Sequence, residues 1–162
     1  MKQYSFFYNT GSHLSGLIVR MTLAIVLLPH GCQFVFGWFG GFGFDASMNY
    51  LTQAEGLPWL VAFAVIMLQF FGPLALLAGF FGRFFALALT GLFTGMIVTS
   101  HWSHGFFMNW SGSAAGEGFE YHLLAIGLSS VLLLTGSGSW SVDAWLTKKA
   151  AAQKPVLDTA IA

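Results

Sequence analysis

The stretch "LPWLVAFAVIMLQFFGPLALLAGF", residues 57–80, runs for 24 residues without an Asp, Glu, Lys or Arg. A helix rises about 1.5 Å per residue, so about 20 apolar residues span the hydrocarbon core of a bilayer. Three further apolar blocks approach that length, at about 16–38, 84–102 and 119–136, the last interrupted by Ser129 and Ser130. None alternates with a period of two, as the strands of a membrane barrel would. The pattern predicts an all-α integral membrane bundle of four transmembrane helices. It forms one domain over residues 1–150, without an internal repeat, followed by a disordered cytoplasmic tail at 151–162.

Composition points the same way. Of 162 residues, 56% are hydrophobic and only 7% charged, far too few charges to cover the surface of a water-soluble domain. Mean hydropathy is +0.73. Zero net charge gives no basis for nucleic-acid binding, and the lone Cys32 excludes an internal disulfide. No small-x-small cleavage site follows the first apolar block, so a cleaved signal peptide is not expected.

The basic residues orient the spans. Lys2, Arg83, Lys148, Lys149 and Lys154 fall on the N-terminal, second-loop and C-terminal segments, whereas the other two loops carry Asp45, Glu55 and Glu117 and no Lys or Arg. The positive-inside rule then puts both termini in the cytoplasm and both Gly-rich loops outside. Trp38, Trp59, Trp102 and Trp110 gather at the outer edge, where amphipathic rings settle. Pro29 and Pro73 are expected to kink their spans, and Gly91 and Gly95 form a small-xxx-small pair suited to close helix approach. Arg20, near the cytoplasmic end of the first span, is expected to snorkel. Residues 139–149, "SWSVDAWLTKK", read as a short interfacial helix capped by Ser141, with Asp143 favouring its N-terminus.

Polar residues collect in the outer half. Helical rise places His30 about 12 Å and Gln69 about 16 Å below the outer edge. His101 and His104 end the third span, and Glu117, Glu120 and His122 begin the fourth. Gln33 shares a helix face with His30. An ionisable group at the depth of His30 is a functional candidate by default, although it can also satisfy a backbone carbonyl freed by Pro29. His101 and His104 read either as solvated interface residues or as ligands, and Gln69 either as an interhelical hydrogen bond or as a ligand contact.

The ordered set of motifs resembles the DoxX family. "RMTLAIVLLPHGCQFVFGWFGGFG" (20–43), "QFFGPLALLAGFFGR" (69–83), "HWSHGFF" (101–107), Gly118 with Glu120, and "GSGSWSVDAWL" (136–146) follow in the family's order over about residues 17–146. Arg20, His30, Arg83, His101 and Glu120 match its pattern. Phe34 stands where the family commonly has a lysine, and Gln69 where it commonly has a glutamate. The resemblance implies a four-helix protein of the bacterial or archaeal cytoplasmic membrane, and redox work, because the family is named for a subunit of a thiosulfate:quinone oxidoreductase.

Three functions suit these residues. A quinone needs an apolar slot with hydrogen-bond donors and a proton route to water, for which His30, Gln33, Gln69, Glu120 and His122 are the candidates. The sequence holds no flavin or nicotinamide fingerprint, so a protein partner would bring the electrons. A haem or metal site would draw on His101, His104, His122 and Glu117. A non-catalytic role would make the chain a structural subunit of a larger membrane complex.

Overall fold

Helix boundaries follow the glycine and proline punctuation of the apolar blocks. The computed structural model describes residues 10, 11 and 13–152. Helix α1 (Leu14–Phe36) stops at Gly37, whose φ of +72° is the left-handed ending that glycine adopts at little cost. A short α2 (Phe44–Asn49) runs on into a wide turn at Tyr50–Ala54. Helix α3 (Trp59–Ala78) starts directly after Pro58 and ends at Gly79, φ +65°. Helix α4 (Gly82–Met96) is prolonged by a wide turn at Ile97–His101 and a tight one at Trp102–His104. Helix α5 spans Glu120–Thr135 and α6 Val142–Ala152.

The described residues are thus helical, without a strand. Three stretches are long and apolar enough to cross a membrane: Leu14–Phe36, Trp59–Ala78 and Gly82–His104. Helix α5 is shorter, 16 residues, or about 24 Å of rise. Residues 151 and 152, expected in the tail, belong to α6; the remainder of that tail lies outside the described residues. Pro29 and Pro73 sit inside the unbroken α1 and α3.

Packing is uneven around the bundle. Helix α1 lies along α3 and also meets α5, α4 lies along α5, and the sequential pair α3 and α4 touch far less. Leu23, Ala24 and Leu27 of α1, Leu76 of α3, Leu89 and Phe93 of α4, and Leu132 of α5 form the main core. The backbones of α1 and α3 approach closely at Gly31, where an added Cβ would collide with the carbonyl of Gln69. The flanks expose Ile18, Ile25, Leu60, Leu87, Val98, Leu124 and Leu134, a surface suited to hydrocarbon rather than water.

One end of the bundle is tied by a buried ionic knot, which corrects the expectation that Arg20 snorkels. Its side chain is only 2% exposed and donates to the carbonyls of Leu76 (2.9 Å), Leu77 (2.6 Å), Ser137 (3.0 Å), Ser139 (3.2 Å) and Trp140 (2.7 Å). Those carbonyls belong to the C-terminus of α3 and the α5–α6 connection, so the guanidinium finds inside the protein the acceptors it would otherwise seek in water. Asp143 is also buried, and its carboxylate accepts the N–H groups of Phe81 (2.9 Å) and Gly82 (3.0 Å) and the hydroxyl of Ser137. It therefore serves the N-terminus of α4 rather than that of its own helix; Ser141 caps α6 through the N–H of Ala144, as expected (3.0 Å). Arg83 meets the carbonyls of Leu133 and Leu134 at the end of α5.

Removing one partner leaves the rest of such a network buried and unpaired, so Arg20→Met should destabilise the protein by about 3–5 kcal/mol. Exposed Lys149→Met should stay within about 0.5 kcal/mol of the parent. Denaturation in mixed detergent micelles measures both, and equal stabilities would refute the role given to Arg20.

Candidate functional site

Clamped together by the knot at their connecting turn, α3 and α4 separate towards the opposite end. The gap between them is a cavity of about 540 Å³. Its walls are mainly apolar, from Phe34 of α1, Leu51, Leu57, Val61 and Val65 on and before α3, and Leu92 and Met96 of α4. Gly91 and Gly95 also line it, and an added Cβ at either would meet nothing within 4 Å. This corrects the expectation that the pair lets two helices pack closely: the glycines hold a space open.

The rim is polar and built from hydrogen bonds between neighbouring segments. The carboxylate of Glu55 accepts the hydroxyl of Tyr50 at one oxygen (2.6 Å) and that of Ser100 at the other (2.6 Å), tying the α2 turn to the end of α4. These bonds, the one from Ser100 foremost, hold the Glu55 carboxyl below its ordinary value, with His101 adding to the effect. The same bond to Glu55 pushes the Tyr50 phenol up. His101 Nδ1 lies 2.9 Å from the Glu117 carbonyl, and His104 Nδ1 lies 3.1 Å from the Ser100 carbonyl. A carbonyl only accepts, so both rings carry the proton on Nδ1 and, when neutral, leave Nε2 as an acceptor. Glu117 joins the rim from the 105–119 loop, where its carboxylate takes the N–H of Asn109 at 2.7 Å.

Deeper in, one donor stands out. Gln69 lines the cavity, is 4% exposed, and its Nε2 has no partner. Such a group costs about 1–3 kcal/mol when left unmade. His122 is equally buried, packed on His101 with ring centroids 4.1 Å apart and on Phe93 at 5.8 Å, and its Nδ1 also lacks a partner.

The fold divides the residues proposed from sequence. Gln69, His101, His104 and Glu117 line the cavity, and His122 sits behind His101. His30 and Gln33 do not line it. His30 is exposed and bonds through Nδ1 to Gln33 Oε1 (3.2 Å), while Gln33 Nε2 reaches the Phe39 carbonyl (3.1 Å). Glu120 accepts the indole N–H of Trp110 (3.1 Å), also off the cavity. Among the described residues, no three His, Cys, Asp or Glu side chains converge to hold a metal ion. Tyr50 and Ser100 went unnoticed in the sequence, and Glu55 entered only as an orienting charge. The wide turns at Tyr50–Ala54 and Ile97–His101 bring these residues together, and their five-residue spacing is not one that an α-helical reading looks for.

Comparison with known proteins gives this cavity a family setting. The DoxX family model matches residues 15–102, more than half of the chain. The chain belongs to the DoxX family. A curated relative, "Inner membrane protein YqjF" of Escherichia coli (strain K12), is 32% identical over 133 residues, covering 82% of this chain and 92% of that protein. No solved structure matches the chain significantly. The matched DoxX segment runs from α1 past the end of α4 and carries every cavity-lining residue except His104, Ala115, Gly116 and Glu117. Phe34 and Gln69, the two positions where the resemblance leads one to expect Lys and Glu, line the same cavity. With Phe34 and Gln69 at these positions the cavity has no charge there, and among the described residues no Lys or Arg lines it.

A carboxyl held low in the folded state contributes stability above the unfolded value, about 4.3 for a glutamate, and loses it as pH falls through the lower folded value. The Glu55 link should therefore persist from neutral pH down past about 4.3. Infrared titration of the carboxylate band, with Glu55→Gln as the difference reference, checks this. A Glu55 midpoint above that of a free glutamate would contradict the assignment.

Proposed function

We propose that this DoxX-family chain is a bacterial inner-membrane protein of four spans with both termini cytoplasmic. Its cavity binds a quinone in the outer half of the bilayer, and the chain serves as membrane subunit or accessory of a quinone-linked redox system. The observation that carries this reading is the buried, unpartnered Nε2 of Gln69, a residue that lines an apolar cavity. It is a neutral donor awaiting a neutral acceptor, which a quinone carbonyl is. The volume lies within the roughly 300–1,000 Å³ of small-molecule sites.

Several features support the membrane arrangement. Arg83, Lys148 and Lys149 fall at the knot end and the acids Glu55 and Glu117 at the cavity end, as the positive-inside rule would have it with the cavity outside. Helix α5 packs into the main core beside the three longer spans, and local thinning of the bilayer accommodates a short span at modest cost. Helix α6, with exposed Trp145 lying 5.1 Å beneath the Lys149 ammonium, suits an interfacial position. Similarity to the E. coli inner membrane protein fits this location.

Quinone reduction takes up electrons and protons together. At the rim, the Nε2 atoms of His101 and His104 are placed to take a proton from water and pass it inward. Electrons come from a protein partner, since the sequence has no nicotinamide or flavin fingerprint.

Gln69→Met separates a ligand donor from a structural one. Removing an unpartnered donor should leave the melting temperature unchanged or raised, while quinone affinity falls about tenfold, the value of a hydrogen bond in a dry site. Unchanged affinity would remove Gln69 from the site. Orientation is read by maleimide labelling in a Cys32→Ser background. Ser113→Cys should react in intact cells and Lys149→Cys only after lysis, and the reverse pattern would invert the topology.

A further inference from the structure

We propose that the ligand enters this cavity sideways from the hydrocarbon of the bilayer, through a flank opening between α3 and α4 at Gly91 and Gly95, and that it is a neutral amphiphile whose head meets the Gln69 amide while its hydrocarbon tail lies in that opening. The inference rests on the cavity being a ligand site, as proposed above, and adds the ligand's chemical class and its route.

Gly91 and Gly95 each line the cavity, are exposed, and share a helix face with exposed Leu87 and Val98. Wall residues without side chains on an exposed helix face, with open space at both Cβ positions, make this the thinnest part of the wall. The gap also has a definite depth. In the span Gly82–His104, Gly91 and Gly95 lie about 14 Å and 20 Å from its start, near the middle of a helix about 34 Å long. Around it the flank is apolar, with Leu87, Val98 and Val61 all exposed. At that depth the opening faces acyl chains, and only a lipid-dissolved molecule reaches it.

The cavity specifies the other end of that molecule. Gln69 Nε2, buried and unpartnered, calls for an acceptor oxygen on the head. The charged groups lining the cavity are Glu55 and Glu117, with His101 and His104 at the rim and no Lys or Arg. A phosphate head would meet carboxylates and no fixed cation, so an anionic lipid is disfavoured. A neutral, carbonyl-bearing head on an alkyl chain fits both ends.

The test uses the full-length protein in detergent micelles, with Gly91→Leu and Gly95→Leu. Both side chains enter open space, so melting temperatures should match the parent. Two benzoquinones with the same ring, one bearing a decyl tail and one a methyl group in its place, are titrated against each protein, with phosphatidylglycerol as an anionic competitor. The leucine variants should lose about tenfold in affinity for the decyl compound, the equivalent of about two methylenes denied their place, and stay within about twofold of the parent for the methyl compound. Phosphatidylglycerol should not displace either. Equal behaviour of the two probes in every variant, or displacement by the anionic lipid, overturns the inference while leaving the quinone reading intact. Should the parent bind neither quinone, that reading falls instead. The flank opening is then judged with a neutral long-chain ketone carrying a diazirine in its tail. Crosslinks to Val61–Gln69 and Gly91–Met96 that Gly95→Leu abolishes uphold it, and labelling unchanged by the substitution overturns it.

Discussion

Arg20 is a permanent cation almost wholly withdrawn from solvent, and the fold is arranged around its needs. Five carbonyl contacts surround it, from the last turn of α3 and from the connection between α5 and α6. A helix C-terminus offers unpaired carbonyls and the negative end of its dipole, so the cation suits that place. Asp143 does the opposite for α4, whose first N–H groups point to its carboxylate. Each charge thus ends a different helix, and the two charges balance within one buried cluster. Gly79 allows this convergence: its φ is +65°, and a Cβ there would strike Ser141 and crowd the guanidinium of Arg20.

This constraint explains the cavity at the other end. With α3 and α4 held at their turn, their upper halves depend on side-chain packing and on the few hydrogen bonds of the rim. Gly91 and Gly95 remove that packing from α4. What holds the upper rim is lighter: hydroxyl bonds to one carboxylate and histidine bonds to two carbonyls, all at partly exposed positions. A rigid base beneath a lightly tethered rim is a reasonable construction for a site that must admit a molecule, since mobile elements come from the less stable part of a fold.

The interior polar groups show the same division. At the knot, buried donors and acceptors are matched, whereas Gln69 on the cavity wall and Tyr121, His122 and Ser129 on α5 keep unpartnered polar atoms. Proteins retain such local costs where function requires them and recover the free energy elsewhere. Here the recovery comes from the main apolar core and from the Arg20–Asp143 cluster.

Much of this architecture was legible along the chain. Four apolar blocks and their glycine boundaries marked the long helices to within a few residues, because helix length in a bilayer is set by a fixed rise and a fixed thickness. Ser141 as a cap, the placement of Gln69, His101, His104 and Glu117 at one end, and the DoxX pattern were also readable. Other features were not. The sequence marks Arg20 as sitting near a span end, but whether it reaches water or five carbonyls depends on what the α5–α6 connection does in space. Gly91 and Gly95 spell a close-packing motif, yet a glycine pair leaves a contact or a gap according to where the neighbouring helix runs. His30 and Gln33 share a face with each other and not with Gln69, because α1 turns that face away from the α3–α4 gap. The sequence by itself determined membrane residence, helical class and the end at which polar groups collect, since each follows from local composition and spacing. Only the tertiary structure decided which of those groups meet, because helix rotation and divergence arise from contacts between residues distant in the chain.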